Sequence, residues 1–79
     1  MRGVEMVNAV VLIKSVATKQ DELISKLKVL EHVRKVYPCY GRFDVVVFID
    51  APDIDKIKLL TLKINSMDGV RSTETLLEA

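Results

Sequence analysis

Two stretches of the chain hold side chains able to do chemistry. Tyr40-Gly41-Arg42-Phe43-Asp44 gathers a glycine, a cation, two aromatic rings and a carboxylate within one short connection, and Thr73-Glu74-Thr75 adds two hydroxyls further on. A glycine close to an acidic residue lets exposed backbone N–H groups and one carboxylate face the same small cavity. That combination meets the demands of a zwitterionic amino acid, with donors for its carboxylate and an acceptor for its ammonium. A plainer account competes: Gly41 makes a tight turn, Asp44 hydrogen-bonds the hairpin backbone, and the threonines are ordinary strand residues. On spacing alone the plainer account carries more weight.

Covalent catalysis is poorly provisioned. Nucleophilic chemistry needs a nucleophile, a base and a group that orients the base, and the chain has one Cys, one His and no Gly-x-Ser-x-Gly turn. Asp44, Tyr37, Tyr40 and His32 are the residues from which a small oxygenase or isomerase would have to be assembled. One Cys and one His build neither a zinc site nor a redox pair, so no structural metal and no cofactor is expected, and Cys39 reads as a small inert hydrophobe. With 12 Lys+Arg against 11 Asp+Glu and a net charge of +1, the chain lacks the basic excess of a nucleic-acid binder. Of the aromatic residues, only Phe48 falls on a strand read as central, where RNA-recognition modules stack bases.

The elements that must position these residues follow from periodicity. Ala9-Val10-Val11-Leu12-Ile13 is β-branched, apolar and too short for a helix, which predicts a strand. Thr18 and Asp21 have capping-box spacing, and Leu23, Ile24, Leu27 and Leu30 recur at helical intervals down to His32. Val33 to Tyr40 resumes a strand pattern, and Pro38 within it removes a ladder donor, which confines that strand to a sheet edge. Val45 to Ile49 is the most continuous apolar strand. Asp53 is a suitable N-cap for a helix carrying Ile54, Ile57, Leu60, Ile64 and Met67 on one stripe, widened by Leu59 and Leu62. Gly69 then suits a left-handed C′ position, and Val70 to Leu77 forms the last strand.

The pattern is written twice. Val10-Val11-Leu12-Ile13 recurs as Val46-Val47-Phe48-Ile49, and Val33-Arg34 recurs as Val70-Arg71, so the chain reads as two βαβ units. Interleaved with right-handed crossovers, they give an α+β, ferredoxin-like βαββαβ fold in a single domain over residues 1–79: one four-stranded antiparallel sheet of order 4-1-3-2, with two helices on one face. Under the repeat His32 falls opposite Gly69, which makes it a residue tolerating positive φ at a helix end.

Helices on one face leave the other face uncovered, and strands with only one buried face would alternate apolar with polar. The two central strands do not. Val10, Leu12, Val46 and Phe48 form a second apolar face whose wetting would cost several kcal/mol, comparable to the stability of a small domain, so a two-fold, sheet-to-sheet dimer is expected to hide it. Hydrophobic residues at 49% exclude a disordered tail, and no apolar run reaches the ~18 or more residues of a membrane span. Met1 to Asn8 carries an early acidic residue and no cleavage site, so it does not read as a signal peptide, and a reducing cytoplasm is expected. The three amide side chains, Asn8, Gln20 and Asn65, set against many Lys, Ile and Val, lean towards a thermophile.

Taken in order, Ala9-Val10-Val11-Leu12-Ile13-Lys14, Gly41-Arg42-Phe43-Asp44-Val45 and Gly69-Val70-Arg71-Ser72-Thr73-Glu74-Thr75 resemble the effector domain of the Lrp/AsnC feast/famine regulators, the RAM domain. The resemblance covers nearly the whole chain and omits the regulators' N-terminal helix-turn-helix domain, so the sequence looks like a stand-alone RAM protein. It implies a ferredoxin-like domain that dimerises through its sheets, assembles dimers into an octamer or similar ring, and binds a small-molecule amino acid where dimers meet. It implies a module that senses ligand alone or modulates transcription through co-assembly with full-length Lrp/AsnC regulators, while the charge balance and the short apolar runs predict no direct contact with nucleic acid or membrane. Carried over by position, Tyr40, Gly41, Arg42 and Phe43 lie on the ligand-facing turn, Asp44 at the acidic position that meets the ammonium, and Thr73 and Thr75 on the pocket wall. Arg42 departs from the family, which often has Glu, Pro or another residue there, and either selects an acidic ligand side chain or points into solvent and pairs with a neighbouring subunit. A purely structural, subunit-exchanging oligomer is the alternative.

Overall fold

β-Branched residues dominate the first strand, and in the computed structural model, which describes residues 6–78, β1 runs over Val7–Ser15. A 3-10 turn, Ala17–Lys19, leads into α1 (Gln20–Lys28); β2 (Val33–Pro38), β3 (Val45–Ala51), α2 (Ile54–Asn65) and β4 (Val70–Leu77) follow. The sheet order is β2-β3-β1-β4, the expected 4-1-3-2 read from the other edge, and every pairing is antiparallel. This is the ferredoxin-like α+β arrangement, with Pro38 closing an edge strand as its missing N–H requires. The reading of Met1 to Glu5 as no signal peptide lies outside the described residues.

Alternation along β1 and β3 divides the sheet into two faces. Val11, Ile13, Val45, Val47 and Ile49 are fully buried beneath Leu23 and Leu27 of α1 and Ile57, Leu60 and Ile64 of α2. These side chains, each worth ~1.5–3 kcal/mol on burial, supply the folding free energy. The other face carries no helix, and Val10, Leu12, Val46 and Phe48 are only half-buried there.

Helix ends follow local chemistry, with two corrections. Thr18 does not cap α1: it sits inside the 3-10 turn, where its backbone is already turning, so the helix begins one residue after Lys19 and has no side-chain cap. Asp21 and Glu22 instead offset the dipole of the first turn. The Lys19 ammonium is spent on Asp68, 2.6 Å away, which raises the lysine's affinity for its proton and lowers that of the carboxyl. Helix α1 also stops at Lys28, short of His32, because the chain tightens through Leu30 N–H to Leu27 C=O and Val33 N–H to Leu30 C=O bonds. His32 then adopts φ 75°, the counterpart of Gly69 at φ 95° in the second repeat. At Gly69 a Cβ would approach Lys19 Cβ to 3.0 Å, so glycine is needed on both counts.

Asp53 caps α2 as expected, its side chain accepting from the Lys56 N–H at 2.9 Å. Asp53→Ala should lower stability by about 1 kcal/mol, read as a lower urea midpoint with unchanged slope. Among the described residues no helix is long and apolar enough to cross a membrane.

Candidate functional site

Strand register builds the helix-free face row by row. Leu76, Val10 and Phe48 lie side by side across β4, β1 and β3, and Glu74, Leu12, Val46 and Tyr37 form the next row out to β2. Tyr37 meets Phe48 edge-on, with ring centroids 5.9 Å apart and planes at 78°. The four residues expected at a sheet interface therefore form one contiguous patch, polar at both ends. At one end Asn8, Arg34 and Asp50 border a cavity of ≈ 350 Å³, with Arg34 Nε 3.1 Å from Asp50 Oδ2. A bulge between Val33 and Lys35 lets Arg34 reach across.

At the other end β1 runs out between the β2–β3 hairpin and the start of β4. Asp44 ties these parts together. Its N–H donates to Ile13 C=O at 2.8 Å, its carbonyl accepts from the Cys39 N–H at 2.8 Å and the Gln20 amide at 2.9 Å, and its Oδ2 accepts from the Ser15 N–H at 2.9 Å. Ser15 follows a register shift in the β1–β4 ladder, which frees its N–H for a side-chain acceptor. The Cys39 thiol donates to Phe43 C=O at 3.1 Å, closing the turn from within. Gly41 takes φ 112°, a conformation that favours glycine, with open space where a Cβ would point. Tyr40 is fully exposed at the hairpin tip.

Beside this turn lies a cleft of ≈ 340 Å³ lined by Lys14, Arg42, Phe43, Ser72, Thr73 and Glu74. Three of the residues singled out in the sequence, Arg42, Phe43 and Thr73, line it together. Tyr40, Gly41, Asp44 and Thr75 are not in its wall. Thr73 pairs with the buried Ile13 and donates its Oγ1 proton to Asn65 Oδ1 at 2.7 Å, so its side chain is turned to the helix side; Thr75 pairs with Val11 on that same side. Asp44 commits one carboxylate oxygen to the β1 backbone.

Lys14, Ser72 and Glu74 stand in the stretches quoted from the sequence but were not assigned to the site. Strand alternation was the available signal: once Val10 and Leu12 are assigned to the helix-free face, Lys14 follows on it, and Glu74 is the residue paired with Leu12. The groups considered for an enzyme are separated. His32 borders a cavity against α2, while Tyr37 faces outward on the opposite side of the sheet. Among the described residues no cluster of three or more His, Cys, Asp or Glu side chains could hold a metal ion.

Comparison with known proteins matches residues 8–77 to the family model described as the Lrp/AsnC ligand binding domain. No curated protein matches the chain. Among solved structures, FFRP-DM1 is 28% identical with a TM-score of 0.87, over 94% of this chain and 100% of that one. TTHA0845 from Thermus thermophilus is 32% identical, also with a TM-score of 0.87, over 94% of both chains. Escherichia coli AsnC is 27% identical with a TM-score of 0.82, over 91% of this chain and 50% of its own length.

Proposed function

This chain belongs to the Lrp/AsnC ligand-binding domain family, and from that premise we propose that it is a non-catalytic, oligomeric effector module that binds an amino acid beside the β2–β3 turn. The observation that carries the reading is the placement of the cleft. An apolar patch on the helix-free face ends at the cleft, so the surface that needs a partner and the surface that offers polar groups are continuous. A second copy seated on Val10, Leu12, Val46 and Phe48 would close that rim, and a cleft shallow in one subunit becomes a site where copies meet. In this reading Gly41, Arg42 and Phe43 form the ligand-facing turn with Tyr40 at its tip. Asp44 holds that turn in place through its bond to the Ser15 N–H, and Thr73 and Thr75 stiffen the opposite wall. Dimers assembling into a ring, and exchange with full-length regulators through matching faces in the cytoplasm, complete the proposal.

Calorimetry and thermal unfolding with each common amino acid test it. A ligand held only by the assembled form stabilises it by mass action, ~2.7 kcal/mol at a hundredfold excess over Kd, which for a chain of this length raises Tm by about 10 °C or more. Heat from at least one amino acid, with that rise, is the expected result. No response from any of them while the oligomer persists would replace the sensor with a purely structural, subunit-exchanging role, for which the apolar patch alone suffices.

A further inference from the structure

We propose that the cleft at the end of β1 selects an amino acid with an acidic side chain, Lys14 and Arg42 receiving its two carboxylates and Glu74 its ammonium. The proposal rests on the amino-acid reading above and adds the ligand's chemical class. The cleft holds two cations and one carboxylate, and among the described residues the ion pairs are Lys19–Asp68 and Arg34–Asp50, so Lys14, Arg42 and Glu74 are uncommitted. An aspartate or glutamate ligand presents the inverse set of two carboxylates and one ammonium. A neutral amino acid would leave one cation unmatched, and a basic one would bring a second ammonium against them.

Placement supports the division of roles. On the helix-free face Leu12 pairs with Glu74 and Lys14 with Ser72, so Lys14 and Glu74 are diagonal neighbours, about 7–8 Å apart on the backbone. A small ligand can bridge that separation. Arg42 approaches from the hairpin side of β1, and its planar fork suits a carboxylate held by two parallel hydrogen bonds, while Lys14 acts as a point charge. The half-buried Phe43 ring supplies an apolar wall for the ligand's methylenes, and Ser72 adds a hydroxyl. The volume, ≈ 340 Å³, lies at the lower end of the ~300–1,000 Å³ usual for small-molecule sites, which suits a ligand of amino-acid size. Asp44, with Oδ2 already accepting from Ser15, is a positioning residue in this scheme.

The test is calorimetry on the full chain with L-aspartate, L-glutamate, L-asparagine, L-glutamine, L-leucine and succinate. Aspartate or glutamate should bind at least about tenfold tighter than its own amide, the scale of one charge-assisted hydrogen bond. Arg42→Gln should erase that ratio, and Glu74→Gln should weaken the acidic amino acid but not succinate, which has no ammonium and is repelled by that carboxylate. An amide binding as well as its acid, or leucine binding in preference to both acids, overturns the selectivity and leaves the amino-acid reading standing. Succinate matching the better acidic amino acid overturns the role of Glu74. No heat from any of the amino acids, here or in the wider panel, overturns both. The wild-type ratios decide the matter even if a variant folds poorly.

Discussion

Phe48→Glu is expected to leave the chain folded and monomeric. Phe48 sits centrally on the helix-free face, flanked by Val10 in register and touched edge-on by Tyr37. It is only half-buried in the single chain, so a carboxylate there can reach water while the subunit is alone, and the core under the helices does not contain it. In a two-fold assembly the same surface meets itself, so one substitution introduces two carboxylates into one dry interface, while Arg34 and Lys35, the cations that line a pocket with Phe48, stand exposed on the edge strand β2. Breaking even with solvation would require pairing, and an unpaired buried charge costs several kcal/mol. Burying each Val, Leu or Phe of the patch gains only ~1.5–3 kcal/mol, so the charge outweighs the gain. Light scattering coupled to size-exclusion chromatography should show the mass fall from a multiple of the chain mass to the 8.9 kDa of one chain, with an unchanged circular dichroism spectrum. Phe48→Ala, which removes area without adding charge, should weaken the assembly far less. A Phe48→Glu protein that keeps the wild-type mass would show that the patch is not the interface.

The fold was legible in the sequence because the repeat, the β-branched runs and the two helical stripes agree on one topology, and because Pro38, Asp53 and Gly69 each mark an element boundary by a local rule. His32 at φ 75° was legible only through the repeat, since nothing in its own neighbourhood distinguishes it. The start of α1 was misread for a physical reason. Capping-box spacing presumes that the chain enters the helix directly, whereas a 3-10 turn intervenes and Lys19 is drawn to Asp68, 49 residues further along the chain, a tertiary pairing with no local signature. The candidate site was half legible. Arg42 and Phe43 stand beside a conspicuous glycine, but Lys14 and Glu74 look like solvated strand residues until the β1–β4 register sets them diagonally across one face. Spacing along the chain shows which side chains could act together, and only the register shows which ones face the same cleft.

Asp44→Ala should cost about 2 kcal/mol of stability while leaving the assembly surface untouched. Replacing the carboxylate removes the acceptor for the Ser15 N–H at 2.9 Å, in a residue only 6% exposed. A hydrogen bond to a charged acceptor is worth ~1.5–3 kcal/mol, and the abandoned N–H, held in a shifted strand register, has little access to water. The backbone bonds of Asp44 to Ile13 and Cys39 survive the substitution, so the hairpin should persist but lose its anchor to the end of β1. About 2 kcal/mol is a large share of the ~5–15 kcal/mol of a typical domain, and the midpoint of denaturant unfolding should fall accordingly. Asp44→Asn keeps an oxygen acceptor without the charge and should recover part of the loss. Amino-acid binding should weaken in both variants, more in Asp44→Ala, because the turn that sets Arg42 and Phe43 against the cleft is held less firmly. The oligomer should remain, since Val10, Leu12, Val46 and Phe48 are unchanged. That separation is diagnostic: an Asp44→Ala protein that unfolds at the wild-type denaturant concentration and binds ligand as before would mean that the bond to Ser15 neither stabilises the fold nor positions the site.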